Sequence, residues 1–413
     1  MHTLIFLEPG HFHAALTLRE RHPLVRDEIV VYAAEEPVEF LGLVEAFNRR
    51  SERPTGWRPV VRTGPDPLGR LSRERPGDVV ILAGRNDRKM ALTRRLHDAS
   101  LHVLADKPWI TTAASLDDVR HVLSGGARVM EMMTGRHAAT ARLAERLVRE
   151  PEVFGTFDTG EGPAIRLASV HHLEKSVNGA PLRRPPWYFD VRVQGDGLAD
   201  IPTHLVDQAQ RLLDARDAAA ELVGARCWST SVPRALFARV TGLADFPPEL
   251  AADVEGDVLA YAANAELAFR VRGVDVHLAT RWDLTEPPGG GDAHDATIVG
   301  TRARVRVEQG PRTGFRRRLV VEPRREAAHV SAALDRALAA WQSEFPGLAA
   351  VAAPEGYEVR IPAVPGTAHE AQFPLVLDEF LRSLTNGDWP DERARATLAK
   401  YDLLARALAT TPA

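Results

Sequence analysis

Three stretches of the sequence bring together side chains that could move a proton or meet a charged ligand. In GDGLADIPTHLVDQAQRLL, residues 195–213, a glycine-rich loop leads to Asp200, and His204 follows four residues later. A carboxylate beside an imidazole orients the ring and draws its pKa toward neutrality, which suits a proton shuttle between an alcohol and a ketone. The plainer alternative is an aspartate that caps a helix, with a satisfied surface histidine. In HVLADKPWITT, residues 102–112, an apolar run ends at Asp106-Lys107-Pro108. Lysine occurs only at 89, 107, 175 and 400, in a chain whose Lys and Arg together number 52. Arginine meets the general need for surface cations, so a retained lysine points to a task that wants a compact ammonium, and Lys107 and Lys175 are the two singled out. In SVHHLEKSVNGAPLRRPPWYFD, residues 169–190, His171, His172 and Lys175 could project into a cleft, and Trp187 and Tyr188 could stack on a sugar ring; sheet packing is the alternative.

The start of the chain adds a fourth stretch, LEPGHFHAAL, residues 7–16. An apolar run, a glycine turn and a helix-forming segment open a dinucleotide-binding unit when the turn reads G-x-G-x-x-G. Here Glu8, Gly10 and His13 hold the three glycine positions. Gly10 would let a pyrophosphate approach the backbone, and the following helix would aim its N–H groups at it. A carboxylate at Glu8 is electrostatically unhelpful there. His11 and His13 alternate as metal ligands can, but the sequence offers no third ligand, so no metal is assigned. Glu35, at the end of the second expected strand, can accept a hydrogen bond from a ribose 2′-hydroxyl and would repel a 2′-phosphate, which favours NAD over NADP.

These residues need elements to position them. Apolar runs at 4–7, 28–33, 58–62, 78–83, 101–105 and 127–133 alternate with helical patterns at 13–21, 37–48, 88–99 and 116–123. Alternating strands and helices predict right-handed crossovers and a parallel, doubly wound sheet. Beyond residue 150 strand character dominates, at 164–171, 221–232, 254–272, 274–282, 297–299, 303–308 and 319–322, with helices at 138–149, 203–213, 329–344, 373–384 and 393–408. EPPGGGD, residues 286–292, reads as a loop. The expected fold is α/β followed by α+β: a nucleotide-type domain over 1–135, and over 136–413 a domain with a large open, mostly antiparallel sheet flanked by helices. The apolar alternation within 254–282 is compatible with a homodimer or homotetramer interface.

Composition bounds the function. The chain has 413 residues, 45% of them hydrophobic, and a formal charge of −4. That is enough for two cores, and it lacks the basic excess of a nucleic-acid binder. No run of eighteen apolar residues predicts a membrane span. The lone Cys227 and the lack of a secretory pattern lead us to expect a cytoplasmic protein.

ADKP together with GDGLADIPTHLVD resembles the Gfo/Idh/MocA oxidoreductases, which have E-K-P after a nucleotide-domain strand and G-G-x-x-x-D-x-G-x-H-x-x-D in the second domain. DVVILAGRND resembles that family's third nucleotide loop, with Asn86 at the usual asparagine, and GRH, residues 135–137, sits where an arginine commonly follows the next strand. PGHFHAAL with HHLEKSVNG is similar to a subgroup with a degenerate glycine motif and a distinct C-terminal domain. The resemblance implies a Rossmann domain that binds NAD through Pro9, Gly10, His11, Phe12, Glu35, Gly84, Asn86, Asp106 and Lys107. It implies that Lys107 hydrogen-bonds the reacting hydroxyl, that His204 is the general acid/base, and that Asp200 orients it. His172, Lys175, Trp187, Asp200 and His204 would meet a hydroxylated small molecule such as a sugar or polyol. Departures from the family pattern are Asp106 for Glu, Pro202 for a glycine, and Glu8 and His13 for two loop glycines. The expected activity is that of an NAD(P)-dependent dehydrogenase. The alternatives are non-redox elimination of the glycosidase type with retained NAD, and a silent ligand sensor or scaffold on the same fold.

Overall fold

The structure, a computed structural model, describes residues 1–160, 162–177, 180–362 and 369–411. Contacts divide it into two compact units: Met1–Ala138 with Gly366–Tyr401, and Ala139–Pro365 with Asp402–Ala413.

In the first unit β1 (Leu4–Leu7), α1 (His13–Leu16), β2 (Glu28–Ala33), α2 (Val38–Asn48), β3 (Arg58–Thr63), α3 (Pro67–Glu74), β4 (Val79–Leu82), α4 (Lys89–Asp98), β5 (His102–Ala105), α5 (Leu116–Ser124) and β6 (Val129–Glu131) follow one another. The strands pair in parallel in the order β3-β2-β1-β4-β5-β6. Every residue of β1 and β4 is buried, as the continuous apolar runs LIFL and VVIL require of strands covered on both faces. Strand order reverses between β1 and β4, and the carboxyl ends at such a switch point form the ligand crevice of doubly wound sheets. Two elements depart from expectation. Helix α1 stops at Leu16 instead of reaching residue 21; the Thr17 hydroxyl bonds back to the Ala14 carbonyl at 2.7 Å. Helix α3 is additional, with Asp66 accepting from the Gly69 N–H at 2.9 Å and Pro67 in the first turn.

The second unit contains α6 (Ala139–Leu147), β7 (Ile165–Glu174), β8 (Ser176–Val177), β9 (Ala180–Pro181), α7 (Val191–Gln194), α8 (Pro202–Leu212), β10 (Glu221–Pro233), α9 (Arg234–Thr241), β11 (Val254–Glu255), β12 (Val258–Val271), β13 (Val274–Thr285), β14 (Ala293–Val299), β15 (Ala303–Gln309), β16 (Arg318–Pro323), α10 (Ala327–Ala340), β17 (Ala349–Ala353) and β18 (Gly356–Arg360). Its main sheet runs β10-β12-β13-β7-β14-β15-β16-β18-β17, with β11 beside β12. Only β13 and β7 pair in parallel within it; the other pairs are antiparallel. Helix α8 packs on β7 and β13, and α6 on β15 and β16. The apolar alternation of β12 and β13 serves the protomer's own interior: Tyr261, Leu267, Phe269 and Leu278 are buried. The alternate residues form an ion-paired face, with Arg226–Glu266 at 2.8 Å and Arg270–Asp275 at 2.7 Å. The pattern therefore does not by itself signal an oligomer interface.

The C-terminal helices α11 (Phe373–Asn386) and α12 (Asp391–Thr410) correct the expected division, which placed all of 136–413 in the second domain. Phe373, Val376, Leu377, Phe380 and Leu381 recur at helical spacing and join Leu4, Phe6 and Val31 in the first unit's core. Lys400 of α12 is fully buried and ion-paired with Glu131 at the end of β6. The Tyr401 hydroxyl donates to Glu131 and accepts from the Trp109 N–H at 2.9 Å. Among the described residues, no helix is long and apolar enough to cross a membrane.

Candidate active site

The first unit gathers most of the expected cofactor residues at the carboxyl ends of adjacent strands. Pro9, Gly10, His11 and Phe12 form the turn after β1, Gly84 and Asn86 follow β4, and Asp106 and Lys107 follow β5. The turns touch: the His11 N–H donates to the Ala83 carbonyl at 3.2 Å, and a Cβ on Gly84 would lie 2.6 Å from the Glu8 carbonyl. Glu35 stands exposed two residues beyond β2. Glu8 adopts a φ of 49°, the left-handed conformation that favours the glycine of the usual motif. Its carboxylate is engaged, accepting from the Ala34 N–H at 2.9 Å, and so does not simply oppose a phosphate as the sequence suggested.

The turn itself differs from the sequence expectation. The Gly10 N–H donates to the Glu8 carbonyl at 2.7 Å and the His11 N–H is likewise used internally. With α1 reduced to a single turn, these two amides and a long helix dipole do not form the expected phosphate cradle. Asp106 is buried and lies between two histidines. His13 Nδ1 is 3.0 Å from both its oxygens, and His11 Nδ1 is 3.3 Å from Oδ2. Burial alone would raise the Asp106 pKa, but His13, His11 and the positive Lys89 outweigh it and hold the carboxyl well below the ordinary range. Lys89 is itself fully buried; its ammonium donates to Asn86 Oδ1 at 2.5 Å and to the Pro108 carbonyl at 3.2 Å, tying the β4 loop to the β5 turn. Sequence reasoning passed over Lys89, although lysine scarcity was a signal for it.

The second unit positions the other expected residues. Asp200 is buried, and His204 stands in the first turn of α8, which Pro202 opens. The N-cap position of the helix is Ile201, which offers no side-chain cap. The preceding loop is fixed by Asp196, whose carboxylate accepts from Leu198 and Ala199 N–H at 2.9 and 3.1 Å. Gly197 is required there, since a Cβ would fall 2.4 Å from the Asn264 carbonyl.

His171, His172 and Lys175 converge on Asp292, which the sequence placed in a loop and gave no role. Lys175 Nζ donates to Asp292 Oδ2 at 2.6 Å, His171 Nδ1 lies 3.0 Å from the same oxygen, and His172 Nδ1 lies 3.6 Å from Oδ1. Burial opposes ionisation of Asp292, but these neighbours overcome it and hold its pKa far below the ordinary value. The Arg184 guanidinium donates to the Leu173 and His172 carbonyls at 2.9 and 3.0 Å and lies 4.4 Å over the Tyr188 ring. Tyr188 also packs edge-on to Trp282, at 6.0 Å. Burial and the negative charges of Asp200 and Asp292 push the Tyr188 phenol up. The ring in this cluster is thus Tyr188, while its neighbour Trp187 is only half-buried. Arg184, Trp282 and Asp292 are the residues that sequence reasoning missed; Asp292 comes from a strand end more than a hundred residues from Lys175.

Residues 143–411 match the profile of the family described as "Putative oxidoreductase C terminal domain". The chain belongs to this family. This oxidoreductase is similar to a crystal structure described as a "putative oxidoreductase" from Parabacteroides merdae, with 34% identity, coverage of 99% of this chain and 97% of that one, and a TM-score of 0.94. More distant structures share its fold. One is a "putative myo-inositol dehydrogenase" from Sinorhizobium meliloti, with 14% identity, 98% and 97% coverage, and a TM-score of 0.56. Another is KijD10, a 3-ketoreductase from Actinomadura kijaniata in complex with NADP and TDP-benzene, with 16% identity, 99% and 97% coverage, and a TM-score of 0.59. None of the curated proteins matches this oxidoreductase.

Proposed function

We propose that this oxidoreductase is an NAD-dependent dehydrogenase of a hydroxylated small molecule, a sugar or polyol. The observation that supports the reading best is the convergence of Gly10, Gly84, Asn86, Asp106 and Lys107 at the carboxyl ends of β1, β4 and β5, the switch point of the first sheet. The residues fit a dinucleotide in two respects. Gly10 leaves backbone open to close approach, its nearest hindrance to a Cβ being Gly84 Cα at 3.8 Å. The exposed Glu35 suits ribose hydroxyls and would repel the 2′-phosphate of the NADP that KijD10 holds. Pro9, His11 and Phe12 complete the set on the β1 turn.

When bound, NAD supplies the acceptor for a hydride from the carbon that bears the reacting hydroxyl. Lys107 donates a hydrogen bond to that oxygen and stabilises negative charge as it develops. His204 takes the hydroxyl proton in oxidation and returns it in reduction. Asp200 orients His204 and meets a neighbouring hydroxyl. His172 and Lys175, the latter held by Asp292, hydrogen-bond the remaining hydroxyls, and Trp187 offers a face to the ring. The test begins with calorimetric titration of NAD⁺, NADH and NADP⁺ after a check for retained nucleotide, followed by a polyol screen for NADH formation. His204→Ala is expected to lower turnover by about 10²–10⁴-fold and leave NAD⁺ affinity unchanged. Failure of all three nucleotides to bind would overturn the reading and leave a ligand sensor in its place.

A further inference from the structure

We infer that His11, His13 and Asp106 form a binding site for a divalent first-row transition-metal ion. The two imidazoles come from the turn after β1 and the carboxylate from the end of β5, so the sequence alone supplied only two of the three ligands. Their donor atoms lie within 4.8 Å of one another, with His13 Nδ1 3.0 Å and His11 Nδ1 3.3 Å from carboxylate oxygens. A zinc-type ion with bonds near 2.0–2.1 Å holds tetrahedral ligand atoms roughly 3.3 Å apart, so the spacing needs little adjustment. Two histidines and one carboxylate suit zinc, cobalt or iron(II), and leave a coordination position for an oxygen ligand from outside.

The surroundings support a ligand role over a simple ion pair. His11 Nδ1 is buried and makes no properly directed hydrogen bond, although it faces Asp106. Asp106 is backed by the Lys107 N–H at 2.8 Å, the outer hydrogen bond that orients a ligating carboxylate. The His11 and His13 rings stand perpendicular with centroids 4.1 Å apart, and Phe12 and Phe373 pack on them at 4.5–4.6 Å as an apolar shell. Lys89 contributes positive charge nearby and sets an upper limit on affinity; its ammonium donates to Asn86 and to the Pro108 carbonyl. The inference stands on the first unit alone and does not depend on whether a dinucleotide binds.

The test is titration of the full, chelator-treated protein with Co²⁺, read by the visible d–d absorption of the bound ion, with Zn²⁺ as competitor. One equivalent with the intensity of a four- or five-coordinate site is expected. His13→Gln and His11→Gln should each weaken binding by more than about 100-fold, beyond what loss of an outer partner costs. His121→Ala should leave the spectrum unchanged; it breaks the other cluster of this kind among the described residues, His97, Asp98 and His121. No absorption in the folded wild-type protein overturns the inference, and so does a spectrum that survives both glutamine variants or disappears with His121→Ala. Should a glutamine variant not fold, the wild-type protein decides: Zn²⁺ is expected to raise its Tm and chelator to reverse the shift, and an unchanged Tm counts against the site.

Discussion

Each unit sets an aspartate between two histidines, Asp106 buried and Asp292 partly buried, and a lysine acts on each in a different way. At Asp292 a lysine completes the set, 2.6 Å away, and supplies a full positive charge where an ion would otherwise sit. At Asp106 the two imidazoles face the carboxylate at 3.0 and 3.3 Å, and Lys89 adds positive charge while donating to Asn86 and to the Pro108 carbonyl. An ammonium bonded directly to the carboxylate turns the Asp292 set into a closed ion pair; at Asp106 two imidazole nitrogens and a carboxylate bring three lone-pair donors within a space of metal-ion size. The same three residue types therefore give a positioned lysine in one unit and a ligand site in the other.

The largest effect should separate the two aspartates by stability. Asp292→Asn leaves the mostly buried Lys175 ammonium opposite a neutral amide and should cost about 3 kcal/mol in urea denaturation. Asp106→Asn should cost less, because an asparagine oxygen can still accept from the Lys107 N–H and its amide can still meet an imidazole nitrogen. Equal losses would break the comparison. Acid sharpens it next. Both carboxyls have folded pKa values below their unfolded ones, so the stability they confer is complete above the unfolded value and is lost as pH falls through the folded one. Wild-type protein should lose stability on acidification from about pH 5 to pH 3 more steeply than Asp292→Asn does. The smallest effect concerns a group with no compensating cation. Burial first, then the charge of Asp196, pushes the Cys227 thiol up to about 11. Roughly one molecule in a thousand carries the thiolate at pH 8, so alkylation should be slow in the folded protein and fast after denaturation.

Much of the fold was legible because local pattern and burial agree. Strand β1 begins and ends where its apolar run does, and β2 follows its run but for the exposed Glu28 that opens it, since strands covered on both faces are built of apolar residues. Helix α1 was over-read, because Leu18, the apolar residue beyond Leu16, belongs to a turn rather than to further helix. Helix α3 was missed although Asp66-Pro67 is a helix-start signal, and the hairpin β17–β18 was missed because its alanine-rich strand AAVAA carries a single β-branched residue. At the candidate site, Lys107, Asp200 and His204 stand out by residue type and local context, and Lys175 by rarity. Asp292, Arg184 and Trp282 were not found, because each becomes meaningful only beside residues distant in the chain.

By itself, the sequence determined the α/β and α+β classes, the family, and which turns follow which strands, since these depend on periodicity and on motifs of a few adjacent residues. The tertiary structure alone decided that α11 returns to the first core, that Glu131 receives Lys400, and that Asp106 and Asp292 are each met by two histidines. Those outcomes depend on desolvation and on distances between residues that chain connectivity does not constrain. A buried charge persists only where the fold brings it a partner, and that partner is chosen in space rather than along the sequence.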